Sequence, residues 1–497
     1  MMHEQEKSDL STVAGKPANK TEGTEAEPAE RRERAEGNTD KADIRRAQNR
    51  ESVTTGLDRV RERARREKKE RFTTLLHHVT VDLLRSAFLW LKRDAAAGVD
   101  GLTWREYEQD LESRLVELHE RVHRGAYRAL PSRRKFIPKS DGQERPLGVA
   151  ALEDKILQRA VVAILNAVYE EDFLGFSYGF RPGRSPHQAL DALAFGIIRT
   201  KVSYILDCDI RAFFDSLSHE WLVRFIEHRI GDPRIIRLIR KWLKAGVIED
   251  GQWSATEAGS PQGAVVSPVL ANVYLHYCFD LWAERWRHHE ARGQVALVRY
   301  ADDIVVGFEH KADAARFLTD LRDRLEKFAL TLHPEKTRLI EFGRFAAANR
   351  ARRGLGKPET FDFLGFKHIS GQSRAGKFLL RRKSRRDRMR AKLRSLKVEL
   401  RRRMHEPIPQ QGQWLTQVVR GYFAYHAVPT NSRSLYAFRE HVGRLWLRTL
   451  RCRSQRDNTP WLRMKRLIRD FLPAPRLLHP WPVARFNVKH PRWEPSA

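Results

Sequence analysis

The sequence predicts a protein that mixes helices with short strands through most of its length and becomes mainly helical near its C-terminal end. Apolar runs such as residues 204–206 and 295–298 are typical of buried strands. They alternate with helical patterns such as residues 156–168 and 314–328. From Trp414 onward the pattern is mostly helical and is interrupted by prolines. These observations favour an α/β or α+β class followed by a helical region.

Length and composition exclude several classes of protein. The chain has 497 residues, 41% of them hydrophobic, so it is long enough to bury a substantial core. No apolar run is long enough for a transmembrane helix, and the N-terminus has no apolar signal segment. Its three cysteines are widely spaced, which argues against a disulfide scaffold or a zinc site. We therefore expect a cytoplasmic protein, associated with nucleic acid and not with membranes.

The net charge of +30 is concentrated near the C-terminus. Residues 371–497 hold 31 basic and 7 acidic residues, whereas residues 1–70 hold 17 basic and 16 acidic residues. The basic segment also contains aromatic residues, a mixture that suits a polyanion whose bases or riboses meet flat side chains. The alternative is a helical domain with a solvated basic face. We favour nucleic-acid binding, because charge at this density repels itself without a polyanionic partner.

One motif carries an evident chemistry. Residues 297–308 consist of two apolar runs that flank the adjacent carboxylates Asp302 and Asp303, which is the pattern of a hairpin with two acids at its tip. A further acid, Asp209, follows the strand-like run 204–206. Adjacent aspartates repel each other, and Mg²⁺ prefers carboxylate oxygens. The two sites could therefore converge on a two-metal centre for phosphoryl transfer.

The order of motifs resembles one known family over about residues 80–490. The polymerase-like blocks are Gly98-Val99-Asp100-Gly101, Ile137-Pro138-Lys139, Arg145-Pro146-Leu147-Gly148, residues 153–158, Ser177-Tyr178-Gly179-Phe180-Arg181-Pro182-Gly183-Arg184-Ser185, residues 209–215, Gly259-Ser260-Pro261-Gln262-Gly263, Tyr300-Ala301-Asp302-Asp303, His333-Pro334-Glu335-Lys336-Thr337 and residues 361–366. Two later blocks, residues 420–426 and 441–446, look like a maturase (X) region. This order resembles the reverse transcriptases encoded by group II introns, which also act as splicing maturases.

The resemblance implies a fold and a division of the chain. The expected class is α+β: a right-hand polymerase fold of fingers and palm, followed by an all-helical thumb and maturase domain. Fingers and palm would occupy residues 57–370, and the RNA-binding thumb and maturase (X) domain residues 371–497. Residues 1–56 have almost no large apolar side chains and are predicted to be a disordered extension of mixed charge.

The resemblance also implies roles for individual residues. Asp209, Asp302 and Asp303 would be the catalytic carboxylates that hold two Mg²⁺ ions. Asp207 shares a strand face with Asp209, but the family pattern does not require it as a ligand.

Five further residues would bind the incoming nucleotide. Lys139 and Arg145 resemble the basic pair that grips the triphosphate, for which the planar fork of an arginine is well suited. Phe214 would be the aromatic wall that excludes a 2′-hydroxyl, and Gln262 would help to build the nucleotide pocket. Lys336 resembles a lysine that either protonates the leaving pyrophosphate or stabilises its charge.

The implied function is RNA-directed DNA synthesis combined with binding of the group II intron RNA to assist splicing and mobility. The partners would be the intron RNA, an RNA template, a DNA primer or target, and dNTPs. The paired cysteines of the family's frequent C-terminal His-Asn-His endonuclease domain have no counterpart here, which argues against DNA cleavage and for a primer supplied from elsewhere, such as a replication fork. Two alternatives stay open: an RNA-binding splicing factor without polymerase activity, and a domesticated reverse transcriptase in phage defence.

The charge distribution makes a first prediction. Arginine-to-alanine changes within residues 381–403 should weaken RNA binding and flatten its salt dependence. Each arginine that contacts a phosphate displaces a counterion from the RNA, so fewer counterions are released on binding when arginines are removed. Titration of RNA binding at several salt concentrations tests this. If neither affinity nor slope changes, the basic segment is not the RNA-binding surface.

Overall fold

The computed structural model describes residues 56–138, 144–249, 252–255, 258–259, 263–453 and 459–489, so nearly all of the predicted N-terminal extension lies outside the described residues. The strands are β1 (Ser132–Pro138), β2 (Glu144–Val149), β3 (Tyr204–Cys208), β4 (Val247–Glu249), β5 (Gln252–Ser254), β6 (Val295–Tyr300), β7 (Asp303–Phe308), β8 (Arg338–Glu341), β9 (Thr360–Phe363), β10 (Phe366–Gln372) and β11 (Phe378–Ser384).

The helices of this part of the chain are α1 (56–66), α2 (Val81–Trp90), α3 (Trp104–Gln109), α4 (Leu111–His123), α5 (Leu152–Tyr169), α6 (Pro186–Arg199), α7 (Phe213–Ser216), α8 (His219–Glu227), α9 (Pro233–Lys244), α10 (Ser267–Leu275), α11 (Leu281–His289), α12 (Lys311–Glu326), α13 (Ala346–Arg352), α14 (Arg386–Arg402), α15 (Ile408–His426), α16 (Ser432–Arg451), α17 (Trp461–Phe471) and α18 (Pro482–Lys489). A 3₁₀ turn, Leu76–His78, precedes α2, and a π-helical turn, His276–Asp280, joins α10 to α11. Among these helices, none combines the length and the apolar character that a membrane span needs.

A four-stranded antiparallel sheet in the order β6-β7-β3-β8 carries the centre of the molecule. Its side chains alternate between two separate apolar cores. Leu297 and Val306 belong to the larger core, whereas Ala296 and Val305 belong to a smaller core on the opposite face. Because both faces are covered, the strands consist almost entirely of apolar residues, and the strands predicted at 204–206 and 295–298 are confirmed.

Helix α6 covers one face of this sheet at close range. A Cβ atom at Gly196 would lie 2.9 Å from the Cβ of Ala296 on β6, so glycine permits the approach. The helix begins with a capping box in which the side chains of Ser185 and Gln188 each accept the other's backbone N–H, and Pro186 occupies its first turn. The local sequence therefore determines where α6 begins, and the lack of a side chain at Gly196 allows the helix to pack closely on β6.

A second sheet, in the order β2-β1-β4-β5, lies beside α5. The glycine at position 98 is explained here, because a Cβ at Gly98 would come within 2.5 Å of the Ala151 Cα just before α5. Thr103 then forms a capping box with Glu106 at the start of α3. The mixture of mainly antiparallel sheets and separate helices confirms the α+β class.

The third sheet, in the order β11-β10-β9, corrects the predicted beginning of the helical region. Residue 371 falls within β10, and β11 continues to Ser384, so the prediction of helix alone from residue 371 was wrong for residues 371–384. In β11 the alternation places Leu380 and Arg382 inside and Arg381 outside. The sequence does not reveal this alternation of buried and exposed residues, because the buried position 382 is occupied by an arginine. From α14 onward the described residues are helical, and α14–α17 enclose a core of their own.

The C-terminal segment folds back onto α6. The carboxylate of the buried Asp191 on α6 pairs with Arg485 of α18 and lies 3.7 Å from the guanidinium of Arg382. The rings of His187 and His479 stack with their centroids 3.9 Å apart. Side chains from α6, β11 and the C-terminal segment thus meet at one buried cluster.

Candidate active site

The β6–β7 hairpin places two carboxylates at its tip. Tyr300 pairs with Asp303 across the two strands, so Ala301 and Asp302 form the two-residue turn. Ala301 takes a left-handed conformation with a φ of 56°. The hairpin predicted from the two apolar runs is confirmed, with Asp302 in the turn and Asp303 at the start of β7.

Asp209 reaches the same edge of the sheet through strand register. Cys208 of β3 pairs with Ile304 of β7 in an antiparallel ladder, so the next residue of β3, Asp209, faces the position of Asp303. The structure therefore brings Asp209 to Asp302 and Asp303, which lie more than 90 residues further along the sequence.

The electrostatics of this edge favour a bound cation. Desolvation and, after it, the negative charges of Asp302, Asp209 and Asp207 together raise the pKa of Asp303 to about 7. The residue nevertheless has exposed surface, as expected of a carboxylate in an open cleft. Lys336 Nζ lies 3.1 Å from Asp209 Oδ2 and supplies one positive charge.

Asp207 takes a supporting position. Its Oδ2 lies 3.5 Å from an Nη atom of Arg338, and burial raises its pKa to about 6. The shared strand face predicted for Asp207 and Asp209 thus places a fourth acid close enough to act on Asp303, while Arg338 holds its carboxylate.

The donor set fits a divalent metal ion. Hard cations such as Mg²⁺ take carboxylate oxygens, and the acids at this edge destabilise one another's charged forms in the absence of a cation. Within the described ranges, no three acidic, histidine or cysteine side chains are gathered closely enough to form a complete ligand set as they stand. One of the carboxylates, that of Asp209, is engaged by Lys336.

A fully buried arginine fixes the backbone of the turn that carries Asp302. Arg299, on β6, forms two hydrogen bonds of 2.7 and 2.6 Å with the carboxylate of Asp280, which ends the π-helical turn. It also donates to the carbonyl of Ala301, to the side chain of Asn272 on α10 and to the hydroxyl of Ser177. The sequence signal was an arginine inside an apolar strand, to which we had assigned no role.

The segment before α6 lies directly against this turn. Ser177 forms a parallel bridge with Arg299, and Asn272 Nδ2 donates to the Gly179 carbonyl at 2.8 Å. A Cβ at Gly179 would lie 2.2 Å from the backbone nitrogen of Ala301. Only glycine allows the two backbones to approach so closely.

Phe214 lies on a short helix beside Asp209. Ala212 precedes α7 with a φ of 45°, Phe213 is buried in the larger core, and Phe214 is half-buried with its ring at 5.4 Å from that of Phe213. The backbone at Gly259 presses on this helix, since a Cβ there would lie 2.9 Å from the Phe214 carbonyl. Phe213 thus packs in the core, Phe214 is more accessible, and the role predicted for Phe214 stays a prediction.

The loop after Gly259 is anchored by a residue whose role the sequence did not reveal. Gln158 on α5 accepts hydrogen bonds from the backbone N–H groups of Val265 at 2.9 Å and Val266 at 3.4 Å. A Cβ at Gly263 would lie 2.7 Å from the Gly148 carbonyl of β2. Gln262 itself lies outside the described residues, but the chain after it is held by α5 and β2.

Of the two other predicted nucleotide-binding residues, the structure describes only the backbone of one. Lys139 lies outside the described residues. The backbone of Arg145 lies in β2 opposite Ile137. Their predicted roles stay predictions.

The start of α14 also contributes charge to this edge. The positive charge of Arg388 lowers the pKa of Asp303, against the larger upward effects described above. The neighbouring Arg385 lies 3.7 Å from Asp362, and Lys367 Nζ lies 3.1 Å from the same carboxylate. Arg385 and Arg388 belong to the basic segment that the sequence indicated, and the charges of both interact with that of Asp303.

The buried pair makes a prediction about stability. Replacing Asp280 with alanine should lower the free energy of unfolding by about 3–5 kcal/mol, because the Arg299 guanidinium would stay buried without its counter-charge. Denaturant unfolding measures this. The exposed Asp323 on α12 offers a matched control, for which Asp323→Ala should change stability by less than about 0.5 kcal/mol. Equal effects of the two substitutions would contradict the role given to the pair.

Comparison with known proteins agrees with this geometry. Residues 137–368 match the family described as reverse transcriptase (RNA-dependent DNA polymerase). The chain is 33% identical over 313 residues to the protein YkfC of Escherichia coli K12, which covers 56% of this chain and 77% of YkfC. It is 34% identical over 224 residues to the group II intron-encoded protein LtrA of Lactococcus lactis subsp. cremoris, covering 44% of this chain and 37% of LtrA.

A shorter similarity joins the chain to a plant protein. It is 30% identical over 125 residues to the protein named "Nuclear intron maturase 3, mitochondrial" of Arabidopsis thaliana. The match covers 25% of this chain and 17% of the maturase. The matched regions thus span most of YkfC and well under half of LtrA and the maturase. The match to the polymerase family includes all three acids at the edge of the central sheet. The chain belongs to the reverse transcriptase family, among the group II intron-encoded reverse transcriptases and maturases.

Proposed function

We propose that the chain copies RNA into DNA from a primer, and that it binds its group II intron RNA to assist splicing and mobility. The observation that carries the polymerase proposal is the convergence of Asp209, Asp302 and Asp303 at one edge of the β6-β7-β3-β8 sheet. Its substrates would be an RNA template, a DNA primer or target, and dNTPs. The primer would come from a target site or a replication fork.

The three carboxylates would hold two Mg²⁺ ions. When bound, such ions supply charge neutralisation and stabilise the attacking and leaving oxygens of phosphoryl transfer. The supporting observation is the electrostatic one: desolvation and the neighbouring acids raise the pKa of Asp303, and a bound cation would offset both effects. Lys336 Nζ, 3.1 Å from Asp209 and well exposed, would stabilise the charge of the departing pyrophosphate.

The nucleotide would bind between the second sheet and α7. Lys139 and Arg145 would contact the triphosphate from the β1–β2 hairpin. Phe214 would lie under the sugar and exclude a 2′-hydroxyl, and Gln262 would complete the pocket. The anchoring of the neighbouring loop by Gln158 and the contact of Gly259 with α7 support a preorganised pocket wall.

We propose residues 57–370 as fingers and palm and residues 371–497 as the thumb and maturase domain, with the β10–β11 hairpin bridging the two. Helix α14 presents a basic stripe for RNA: Arg386, Arg390, Arg394, Lys397 and Arg401 recur at three- and four-residue spacing and are all exposed. Arg382 differs, because it is buried beside Asp191. The stripe residues are therefore the ones to change when RNA binding is tested.

The central prediction concerns the acids. Replacing both Asp302 and Asp303 with alanine should lower primer extension on an RNA template by at least about a thousand-fold, because several kcal/mol of transition-state stabilisation would be lost. Gel-resolved extension of a labelled primer measures this. The control is Asp323→Ala, an exposed acid away from the sheet edge, which should extend normally. Undiminished extension by the double variant would refute the polymerase assignment.

The same double variant separates polymerisation from RNA binding. Support of intron splicing should survive the loss of the acids, since the α14 stripe is unchanged.

A second prediction concerns the nucleotide pocket. Replacing Gln158 with leucine should raise the KM for dNTPs about ten-fold, because two backbone N–H groups would lose their acceptor and the loop its position. Steady-state extension at varied dNTP concentration measures the change. Gln411 is a buried glutamine of the α14–α17 core, and Gln411→Leu provides the control for a general loss of packing. A similar rise in KM for both variants would contradict a local effect of Gln158.

A further inference from the structure

We propose that Phe180 is the side chain on which the 3′-terminal nucleotide of the primer stacks. This inference rests on the polymerase function proposed above and adds a binding contact to that site. It follows from the position of Phe180 beside the catalytic turn, from its exposure and from its backbone conformation.

The parallel pairing beside β6 determines where Phe180 lies. Ser177 is bridged to Arg299, Tyr178 N donates to the Arg299 carbonyl at 2.9 Å, and Gly179 lies against Ala301. Each step along one segment corresponds to a step along the other. Phe180 therefore follows Gly179 at the level at which Asp302 follows Ala301.

The ring of Phe180 is displayed to solvent by a firmly held loop. The residue is 52% exposed, while the preceding Tyr178 is 1% exposed. The following Arg181 is buried and donates to the carbonyls of Leu174 and Ser177 at 2.8 and 2.7 Å, and its guanidinium pairs with Glu170 at 3.0 Å. The hydrogen bonds and the ion pair of Arg181 thus hold the loop, and the exposed ring of Phe180 offers a fixed apolar face on which a ligand can stack.

The backbone conformation points the same way. Phe180 has a φ of 59°, which is unfavourable for a bulky residue. Six non-glycine residues of the described part of the chain have a positive φ, and three of them, Phe180, Ala212 and Ala301, lie at the acidic edge of the sheet. Strained backbone that the surrounding structure maintains is concentrated at functional sites. The strained position of Phe180 lies beside the turn that carries Asp302.

The chemistry of the site identifies the occupant. Asp302 and its neighbours would act on the 3′-hydroxyl of the primer, so the group next to Asp302 is the last primer nucleotide. An aromatic ring can stack on any of the four bases, which suits a contact that every newly added nucleotide must make in turn. A phenylalanine offers no hydrogen bond and so imposes no sequence preference.

The experiment compares Phe180→Ala with wild type in primer extension on an RNA template. We expect kcat/KM for the primer–template to fall on the order of 5-fold to 100-fold, the range found when a stacking aromatic is removed. Phe180→Tyr keeps the ring and should stay within about two-fold of wild type on the same basis. Phe345→Ala removes a ring that is 46% exposed at the start of α13, and it should have no effect.

A primer without its terminal base tests the assignment to the primer. On such a primer the ratio of wild-type to Phe180→Ala activity should shrink toward one, because the partner of the ring is gone. If the ratio shrinks only when the opposite template nucleotide lacks its base, the ring contacts the template and the proposal is wrong. If Phe180→Ala and Phe345→Ala behave alike on the intact substrate, the proposal is also wrong.

Phe180→Gly separates the ring from the backbone conformation, since glycine adopts a positive φ freely. Wild-type activity of Phe180→Gly would overturn the role of the ring, and activity as low as that of Phe180→Ala supports it. Failure of the proposed function is distinguishable, because the wild-type chain would then extend neither kind of primer.

Discussion

The buried ion pair between Arg299 and Asp280 is the interaction on which the arrangement of the catalytic edge depends. A guanidinium removed from water must find partners for its donors, and Arg299 finds them in Asp280, Asn272, Ser177 and the Ala301 carbonyl. Satisfying one side chain therefore brings together β6, the end of α10, the π-helical turn and the segment before α6. The turn that carries Asp302 is held from beneath by this network, and Gly179 holds it from the side.

The acids are arranged so that their negative charges repel one another. Four carboxylates lie at one sheet edge, and the charges of three of them help to raise the pKa of Asp303. The cations that approach them, Lys336 on Asp209 and Arg338 on Asp207, are only partial compensation. Meanwhile most of the chain's net positive charge lies in residues 371–497, and α14 presents part of it to solvent. The acids proposed to bind metal are thus separated from the basic residues proposed to bind RNA phosphates. This separation is consistent with a polymerase that also binds structured RNA.

The helical region is attached to the central sheet by more than the chain between them. The β10–β11 hairpin packs into the smaller core, and Arg382 of that hairpin shares Asp191 with Arg485 of α18. His187 adds a hydrogen-bonding contact of 2.9 Å with the carbonyl of Tyr425 on α15. Helix α6 is the element common to these contacts. The position of the basic stripe relative to the acids is thus set by packing on α6.

The sequence by itself determined the local features: the strands at 204–206 and 295–298, and the hairpin with acids at its tip. Each follows from a period or a turn within a few residues. Motif order added the family and, as a proposal, its catalytic acids. Only the tertiary structure decided that Asp209 faces Asp303, that the sheets continue to Ser384, and that Gln158 and Arg299 hold the loops around the site. These depend on register and on contacts between distant residues, such as Ser177 with Arg299, and neighbouring residues in a sequence carry no record of them.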